Sequence, residues 1–514
     1  MYKYDAVVVG SGNGGLSTAC TLAKAGKKVL MVEQHNLPGG VASSFKRGRF
    51  EFESALHELA SIGPEEAPAD VRKLLEQEYG VKIPWHLIPD IFRVINIDVD
   101  DNYRVFGDVK MPMGRQEFED KMEFYAPGNR KAVQDMYALY DECCLALAYL
   151  EECKGNPDTK VLMKKYPNFL RVGSYPVNKV LDALKFTPAA RKIMSTYWSY
   201  MAVDLDHLSS IFYLMMVCSL VDIGAYIPDH TSFQLTNAVY KRFLEMGGEG
   251  WFNCRATEVL FDDEDKVCGL KTTQGDIETK HVIWNGNPSL AYANNIPDRV
   301  IPEREIKLAN ARKFSARMFV VYLGLNKTYK ELGIEDYNIF INPGLDSVSE
   351  YNRMSTDDRI RSCAALCYNV VNPNISPEGT CIVSMTSAYS ADVWGDVTPE
   401  NYFARKMELA EQSITLYEKA VGVTLKPYIE EIEVATPWTF ARYAGVPEGG
   451  VYGYEAGGFD NCMARMMMYE DDYPIKGLMF TGASGPRGDG YSESMITGNM
   501  IGRMVLRDMA KEDE

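Results

Sequence analysis

A glycine-rich turn lies between two short apolar runs near the amino-terminal end of the sequence. Val7–Val9 precede Gly10-Ser-Gly12-Asn-Gly14-Gly15, and a helix-like stretch then leads to a second run that ends at Glu33. Strand, glycine turn, helix, strand and acid in this order form the layout of a dinucleotide-binding βαβ unit. We therefore predict that residues 5–40 form a Rossmann-type crossover.

The glycines of this turn have separate roles. Gly10 permits the tight turn, Gly12 lets the backbone approach a pyrophosphate, and Gly15 lets helix and strand pack closely. Unpaired amides and the dipole at the helix N-terminus would stabilise the phosphates. Glu33 stands where a carboxylate can accept both hydroxyls of an adenosine ribose and would repel a 2′-phosphate. A chance glycine turn, or a fold that has lost its ligand, is the alternative interpretation.

Pro38-Gly39-Gly40 follows the acid closely. With it, the segment from Val7 resembles the fingerprint of the FAD-dependent phytoene desaturase, carotenoid isomerase and retinol saturase superfamily. Residues 50–57, 247–259 and 477–498 are also similar to that superfamily. The resemblance implies an α/β fold of the amine-oxidase (GR2) type, in which a Rossmann-like FAD-binding domain carries an inserted mixed α+β substrate domain.

The same resemblance implies an enzyme that uses FAD to act on carbon–carbon bonds of a lipophilic unsaturated substrate, such as a carotenoid, a retinoid or a fatty acid. Desaturation, saturation and flavin-assisted isomerisation all stay open. Ser54-Ala55 and Gly482-Ala483 depart from residues that many relatives carry. The second departure replaces a usual carboxylate, so we expect backbone amides to serve there.

The predicted FAD-binding residues come from the glycine turn, the second strand, the middle segment and the last helix. They are Gly10, Gly12, Asn13, Gly14, Gly15, Glu33, Gln34, Gly39, Gly40, Val41, Val259, Asn285, Gly482, Ala483, Tyr491, Ser492, Glu493, Ser494 and Met495. In the superfamily, the N-terminus of the last helix points at the pyrimidine edge of the flavin, where its dipole favours the reduced state. An ordinary capped helix is the alternative.

Candidate catalytic residues are His57, Tyr491 and Glu493. Histidine is also present at the position of His57 in carotenoid isomerases and retinol saturases, where it could donate a hydrogen bond near the flavin. A core histidine with satisfied hydrogen bonds is the alternative. Tyr200 and Met216 belong to an aromatic and methionine-rich stretch that could line a tunnel for a long apolar chain, or simply pack between helices.

Three further residues are candidate substrate contacts. His230 lies where the superfamily's second glycine pair is missing, and a surface turn is its alternative reading. Trp438 and Arg442 belong to a segment that resembles one leading back to the flavin domain. Arg442 would fix an anionic head group or the flavin, or else form an ion pair between domains.

A chain of 514 residues is expected to form two domains. We predict an FAD-binding domain from residues 1–95, 230–300 and 431–514, and a substrate domain from 96–229 and 301–430. The predicted helices cover residues 128–153, 233–246, 400–421 and 492–509, with broken helices over 161–184. The predicted strands cover residues 257–261, 267–272, 277–284, 317–325, 364–371, 380–386 and 477–481.

Composition limits the partners. A net charge of −17 and the absence of a basic run argue against nucleic acid. The six histidines and eleven cysteines form no metal motif, and the thiols are expected to be reduced. No signal-peptide pattern is recognised, and the longest apolar stretch, 211–221, is too short to span a bilayer. We therefore expect a cytoplasmic protein with possible peripheral membrane contact, and leave the oligomeric state open.

Two competing functions share this fold. One is a flavin amine or amino-acid oxidase, which would release peroxide from a polar amine held in an aromatic cage. The other is a non-redox lipid-binding protein like the GDP dissociation inhibitors. The intact pattern of Gly10, Gly12, Gly15 and Glu33 weighs against the second.

Overall fold

The computed structural model describes residues 2–153, 157–390, 393–457, 460, 465 and 474–512. Its strands in chain order are β1 Tyr2–Lys3, β2 Ala6–Val9, β3 Val29–Val32, β4 Ser44–Arg47, β5 Phe50–Glu53, β6 Trp85–Leu87, β7 Asp90–Asp98, β8 Arg104–Pro112, β9 Tyr226–Pro228, β10 Glu249–Trp251, β11 Ala256–Phe261, β12 Val267–Thr272, β13 Gly275–Glu278, β14 Val282–Trp284, β15 Arg317–Leu325, β16 Asn338–Asn342, β17 Cys363–Cys367, β18 Cys381–Tyr389, β19 Ile429–Ala435 and β20 Leu478–Phe480.

The helices divide between the nucleotide half, a helical cap and the large sheet. They are α1 Asn13–Lys24, α2 Asp70–Lys73, α3 Arg115–Tyr125, α4 Arg130–Glu152, α5 Thr159–Lys165, α6 Pro167–Val172, α7 Val177–Ala183, α8 Pro188–Met194, α9 Trp198–Met201, α10 Ser210–Ile223, α11 Ser232–Glu245, α12 Pro288–Asn294, α13 Glu303–Ala311, α14 Tyr329–Leu332, α15 Ser347–Met354, α16 Tyr402–Val421, α17 Pro437–Ala444 and α18 Tyr491–Glu512, and α2 continues into a π-helical turn over Leu74–Tyr79.

A parallel sheet with the strand order β10-β3-β2-β14-β20 carries the predicted crossover. Val7 pairs with Leu30 on one side and Val282 on the other, and Val282 pairs with Leu478. The central strands are apolar along their whole length because both faces of the sheet are covered. The βαβ unit of the sequence prediction is therefore confirmed.

The predicted strand over residues 277–284 is wrong in one respect, because it is two strands in different sheets. β13 belongs to a sheet with the order β1-β13-β12-β11, whereas β14 joins the parallel sheet. Between them the chain turns at Thr279, whose hydroxyl donates to the carbonyl of Asp5 at 3.2 Å. This turn is short and contains no glycine or proline. The apolar pattern of the sequence therefore does not show where one strand ends and the next begins.

The large sheet has the strand order β19-β15-β18-β17-β16-β7-β8. β15, β18 and β17 are antiparallel neighbours as predicted, and β7 adds in parallel beside β16. The predicted boundary at 95/96 falls inside β7, and the boundary at 430/431 falls inside β19. β8 was not predicted because most of it is half-buried or exposed, so its apolar alternation is weak.

The predicted helical region over residues 128–184 is confirmed by α4 to α7, and α8 to α10 extend the cap. The first and last helices, α1 and α18, pack backbone to backbone. A Cβ added at Gly498 would lie 2.3 Å from the Gly14 carbonyl oxygen. The Thr18 hydroxyl donates to the Gly498 carbonyl at 2.9 Å.

Across the described ranges, no helix combines the length and apolar character that crossing a bilayer requires. All cysteines in these ranges are free thiols.

Candidate active site

A cavity of about 1910 Å³ opens where four parallel strands end. The last residue of each of β2, β3 and β14 lines it, together with the residues that follow them, Gly10, Glu33 and Asn285, and with Gly482 after β20. Ligands of open α/β sheets bind at this carboxyl edge. The volume exceeds the roughly 300–1,000 Å³ of a pocket for one drug-sized ligand, so the cavity has room for a dinucleotide and a second molecule.

Most of the predicted cofactor residues surround this cavity. Those that line it are Gly10, Gly12, Asn13, Gly14, Glu33, Gln34, Gly39, Gly40, Val41, Asn285, Gly482, Ala483, Tyr491, Ser492, Glu493 and Ser494. Three distant parts of the chain thus meet around one space. Within the described residues, no group of three or more His, Cys, Asp or Glu side chains is arranged to hold a metal ion.

Backbone proximity explains the glycines of the turn. Gly10 has φ +94°, and a Cβ on Gly15 would lie only 2.1 Å from the Gly10 carbonyl oxygen. A Cβ on Gly14 would lie 2.5 Å from the Cα of Gly482. Gly15 does not itself line the cavity; it serves the close packing that the sequence predicted for it.

The N-terminus of α1 is available to an anion. No side chain caps the helix at Gly12. The side-chain oxygen of Asn13 is buried at the cavity without a hydrogen-bond partner in the described part of the chain. Open first-turn amides at a helix N-terminus suit a phosphate group, so the loop fits a pyrophosphate.

Glu33 is buried at the end of β3 and already accepts several hydrogen bonds. One carboxylate oxygen accepts from the backbone amide of Ser11 at 2.7 Å and from its hydroxyl at 2.6 Å, while the other accepts from the amide of His35 at 2.9 Å. A carboxylate has about four acceptor positions. About one acceptor position is left for a ribose hydroxyl. We therefore expect Glu33 to accept a hydrogen bond from one ribose hydroxyl, where the sequence predicted two.

The start of α18 is tied to the amino-terminal segments across the cavity. Tyr491 donates from its hydroxyl to the Val41 carbonyl at 2.9 Å, and Ser492 donates to the Ala60 carbonyl at 2.7 Å. Glu493 pairs with Arg487 at 2.5 Å. The first turn of α18 therefore faces the same space as the glycine turn.

Two predicted cofactor residues lie in the core instead. Met495 is 2% exposed and packs between α18 and its neighbours, because it is on the inner side of the helix. Val259 is fully buried within β11, and its amide donates to the Asn295 carbonyl at 2.8 Å. The part of this segment that reaches the cavity is Cys254–Thr257, just before Val259.

His57 lines the cavity and is held at both ring nitrogens. Nδ1 lies 3.1 Å from the Tyr200 hydroxyl, and Nε2 lies 3.1 Å from the Thr386 hydroxyl. Burial lowers the pKa of His57 to about 4, because a charged ring would lose its hydration. The imidazole is therefore neutral near pH 7 and fixed in orientation, with one nitrogen donating and the other accepting.

Glu53, Glu58 and Asp489 are carboxyl groups on the cavity wall that the sequence interpretation did not assign to the site. Burial raises the pKa of Glu58 to about 7 and that of Asp489 to about 6. The only available signal was their position, since Glu58 directly follows His57 and Asp489 precedes α18. Asp489 lies within the segment 477–498 that resembles the superfamily, but nothing in the sequence singles out Glu58 or Asp489, because burial is what raises their pKa values.

The cavity has an apolar branch between α4 and α10. Met216 of α10 and Tyr200 of α9 line it together with other apolar residues of α4 and α10, and their part in a substrate path stays a prediction. The other apolar residues include Tyr140, Cys144, Leu147, Ile211, Phe212 and Met215. Thioether and aromatic side chains adapt well to a flexible apolar ligand.

Three predicted substrate contacts lie outside the cavity. The side chain of His230 is 64% exposed, beside Asp229 on a surface turn. Trp438 stacks on Tyr402 with ring centroids 5.6 Å apart, and Arg442 is exposed. Trp438 and Arg442 of α17 do not line the cavity, whereas Phe440, Tyr443 and Ala444 of the same helix do.

Comparison with known proteins agrees with this geometry. A family model described as an NAD(P)-binding Rossmann-like domain matches residues 8–76. All-trans-retinol 13,14-reductase of Danio rerio is 24% identical over 506 residues, covering 93% of this chain and 82% of that protein. Prolycopene isomerase 2 of an Oncidium hybrid cultivar is 24% identical over 527 residues, covering 99% and 85%.

Solved structures share the fold. An oxidoreductase from Methanosarcina mazei aligns with a TM-score of 0.65 and 15% identity over 98% of this chain and 100% of that chain. Cyclohexylamine oxidase from Brevibacterium oxydans aligns with a TM-score of 0.62 and 14% identity over 99% of both chains. The near full-length sequence matches, at 24% identity, support a relationship of this chain to the retinol saturase and carotenoid isomerase superfamily of oxidoreductase-type enzymes.

Proposed function

We propose that this protein is an FAD-dependent oxidoreductase that acts on a carbon–carbon bond of a lipophilic unsaturated substrate. The observation that carries the proposal is the continuity of one cavity from the glycine turn to the apolar branch beside Tyr200 and Met216. A dinucleotide in the first part would leave the second part for a long apolar molecule.

The residues around the turn fit FAD. Glu33 would bind the adenosine ribose, the amides of Gly12–Gly14 would bind the pyrophosphate, and the first turn of α18 would face the flavin. The side-chain oxygen of Asn13, which has no partner in the described part of the chain, is an acceptor, so a hydroxyl group of bound FAD would satisfy it and the pyrophosphate would not. When bound, FAD would supply hydride transfer, while the protein orients both molecules and excludes water.

The cavity wall favours a polyene over an amine. The branch between α4 and α10 presents methionine, leucine and aromatic side chains, and the nearest histidine, His57, is neutral. The relatives that match along most of the chain are named for retinol and prolycopene. The amine oxidases share the fold at 13–14% identity, which supports no substrate assignment.

Anaerobic absorbance spectroscopy tests the proposal. We expect the purified protein to carry flavin, and we expect a carotenoid, retinoid or unsaturated fatty acid either to bleach the oxidised flavin or to reoxidise the reduced flavin. A Gly12→Val protein purified in parallel controls for unbound flavin. Bleaching by amines alone, with peroxide released in air, would instead favour an amine oxidase, and a colourless protein would favour a non-redox lipid carrier.

The remaining predictions concern partners and location. A lipophilic small molecule is the proposed partner, collected through peripheral contact with a membrane, because an apolar substrate is concentrated there. Cytoplasmic location stays a prediction from the sequence.

A further inference from the structure

The hydrogen bonds around Glu58 suit both protonation states of its carboxyl group. The hydroxyl of Tyr197 lies 2.8 Å from the Ile91 carbonyl oxygen and 3.1 Å from Oε1 of Glu58. A carbonyl only accepts, and a tyrosine hydroxyl has one proton to donate. When the tyrosine donates to Glu58, the carboxyl group accepts as a carboxylate. When it donates to Ile91, a protonated carboxyl group can donate to the tyrosine oxygen.

Burial and hydrogen bonding act on Glu58 in opposite directions. Desolvation is the larger effect and raises its pKa, whereas the side-chain hydrogen bonds with Tyr197 and Asn338 lower it. Tyr197, Tyr200 and Tyr337 interact electrostatically with Glu58, and all three are neutral near pH 7 because burial raises their pKa values. His57, its neighbour in the chain, is also neutral because burial lowers its pKa.

Glu58 also faces the part of the cavity where the reaction is expected. It lines the cavity between His57 and Leu59. Two residues further on, the Ala60 carbonyl accepts a hydrogen bond from Ser492 in the first turn of α18. The segment that carries Glu58 is therefore fastened to the helix terminus proposed to face the flavin, and the apolar branch at Tyr200 lies beside it.

We propose that Glu58 is the catalytic acid that delivers a proton to a substrate carbon when a double bond is reduced, and the base that removes it in the reverse direction. This inference rests on the proposed function. In the reduction, the π bond would break and two C–H bonds would form. One carbon would receive a hydride, which reduced FAD would supply when bound, and the adjacent carbon would receive the proton of Glu58. The resulting carboxylate regains a proton from solvent.

The acidity of Glu58 suits this role. Its pKa is raised to about 7 by burial, so both the acid and the carboxylate are accessible near neutral pH. Proton transfer is most efficient when the pKa of the catalytic group lies near the working pH. His57, held by Tyr200 and Thr386, would then act as a positioning residue for the segment.

The first test does not depend on turnover. Potentiometric titration of wild type and Glu58→Gln should differ by one group that titrates near pH 7, and the wild type should lose an infrared band of a protonated carboxyl over the same range. Glu378→Gln, a change at an exposed glutamate, is the matched control and should not remove that group. Identical titration curves for wild type and Glu58→Gln would overturn the inference.

The second test follows the chemistry. Reoxidation of the reduced flavin by a reactive polyene should slow by about 10²–10⁴-fold in Glu58→Gln. Glu58→Asp should recover part of the rate, and in D₂O the wild type should place one solvent deuterium on the product carbon. Unchanged reoxidation in a folded, flavin-loaded Glu58→Gln protein would overturn only the role of Glu58. A wild type that reacts with no polyene would overturn the proposed function and this role together.

Discussion

Replacing Gly498 with alanine tests how closely α18 must approach α1. A Cβ at this position would lie 2.3 Å from the Gly14 carbonyl oxygen and 2.7 Å from the Cβ of Ser17. Both distances are about 1 Å short of normal contact. The helices must therefore separate, and the hydrogen bond from Thr18 to the Gly498 carbonyl must lengthen from 2.9 Å.

The magnitude follows from three terms. Overpacking costs about 1–3 kcal/mol. Weakening the Thr18 hydrogen bond costs about 1 kcal/mol, and the higher helix propensity of alanine returns about 1 kcal/mol. We expect the free energy of unfolding of Gly498→Ala to fall by about 1–3 kcal/mol. Because Gly14 belongs to the turn proposed to bind the pyrophosphate, flavin retention should fall as well.

Urea unfolding followed by circular dichroism, with the flavin-to-protein absorbance ratio measured on the same samples, checks both effects. Lys511→Ala, on the exposed side of the same helix, is the control and should change neither quantity. An unchanged or higher unfolding midpoint together with full flavin content in Gly498→Ala would refute the close-packing argument.

Two further predictions concern the cavity. Gly12→Val should abolish flavin binding, since even its Cβ would lie 2.9 Å from the side-chain amide nitrogen of Asn285. Glu33→Ala should lose flavin, and its free energy of unfolding should fall by roughly 1–3 kcal/mol, because the amide and hydroxyl of Ser11 lose their acceptor. Full flavin absorbance in both proteins would contradict these expectations. The lowered pKa of His57 predicts that the folded protein is sensitive to acid. Between about pH 6.5 and 4, the ring binds a proton in the unfolded chain but not in the folded protein. The free energy of unfolding should therefore fall by up to about 3 kcal/mol as the pH is lowered through this range. Urea midpoints at pH 7.5 and 5 should differ less in His57→Gln, and an equal difference would contradict the assignment.

The nucleotide half could be predicted from the sequence because its chemistry is made by backbone. Gly10, Gly12 and Gly15 are required where neighbouring atoms leave no room for a side chain. The spacing of these glycines is therefore visible in the sequence. The ends of β2, β3 and β14 could be predicted from short apolar runs. The residues that follow them, which are predicted cofactor contacts, line the cavity.

The substrate half depends on which way each side chain points, and there the prediction was uneven. Trp438 and Arg442 were assigned to the cavity although α17 turns Phe440 and Tyr443 towards it. A helix turns by about 100° per residue, so an error of one or two positions reverses the side that faces inward. Glu58 was missed because its acidity comes from burial among residues that are distant in sequence.

The contact between α1 and α18 also sets the time at which the protein can acquire its dinucleotide. Thr18 and Gly498, which meet across that contact, are 480 residues apart in the chain. At about 5–20 residues per second, a ribosome makes them roughly 25–95 s apart. The glycine turn is therefore synthesised long before the helix that completes its cavity. We expect nascent chains that end before α18 to bind no flavin.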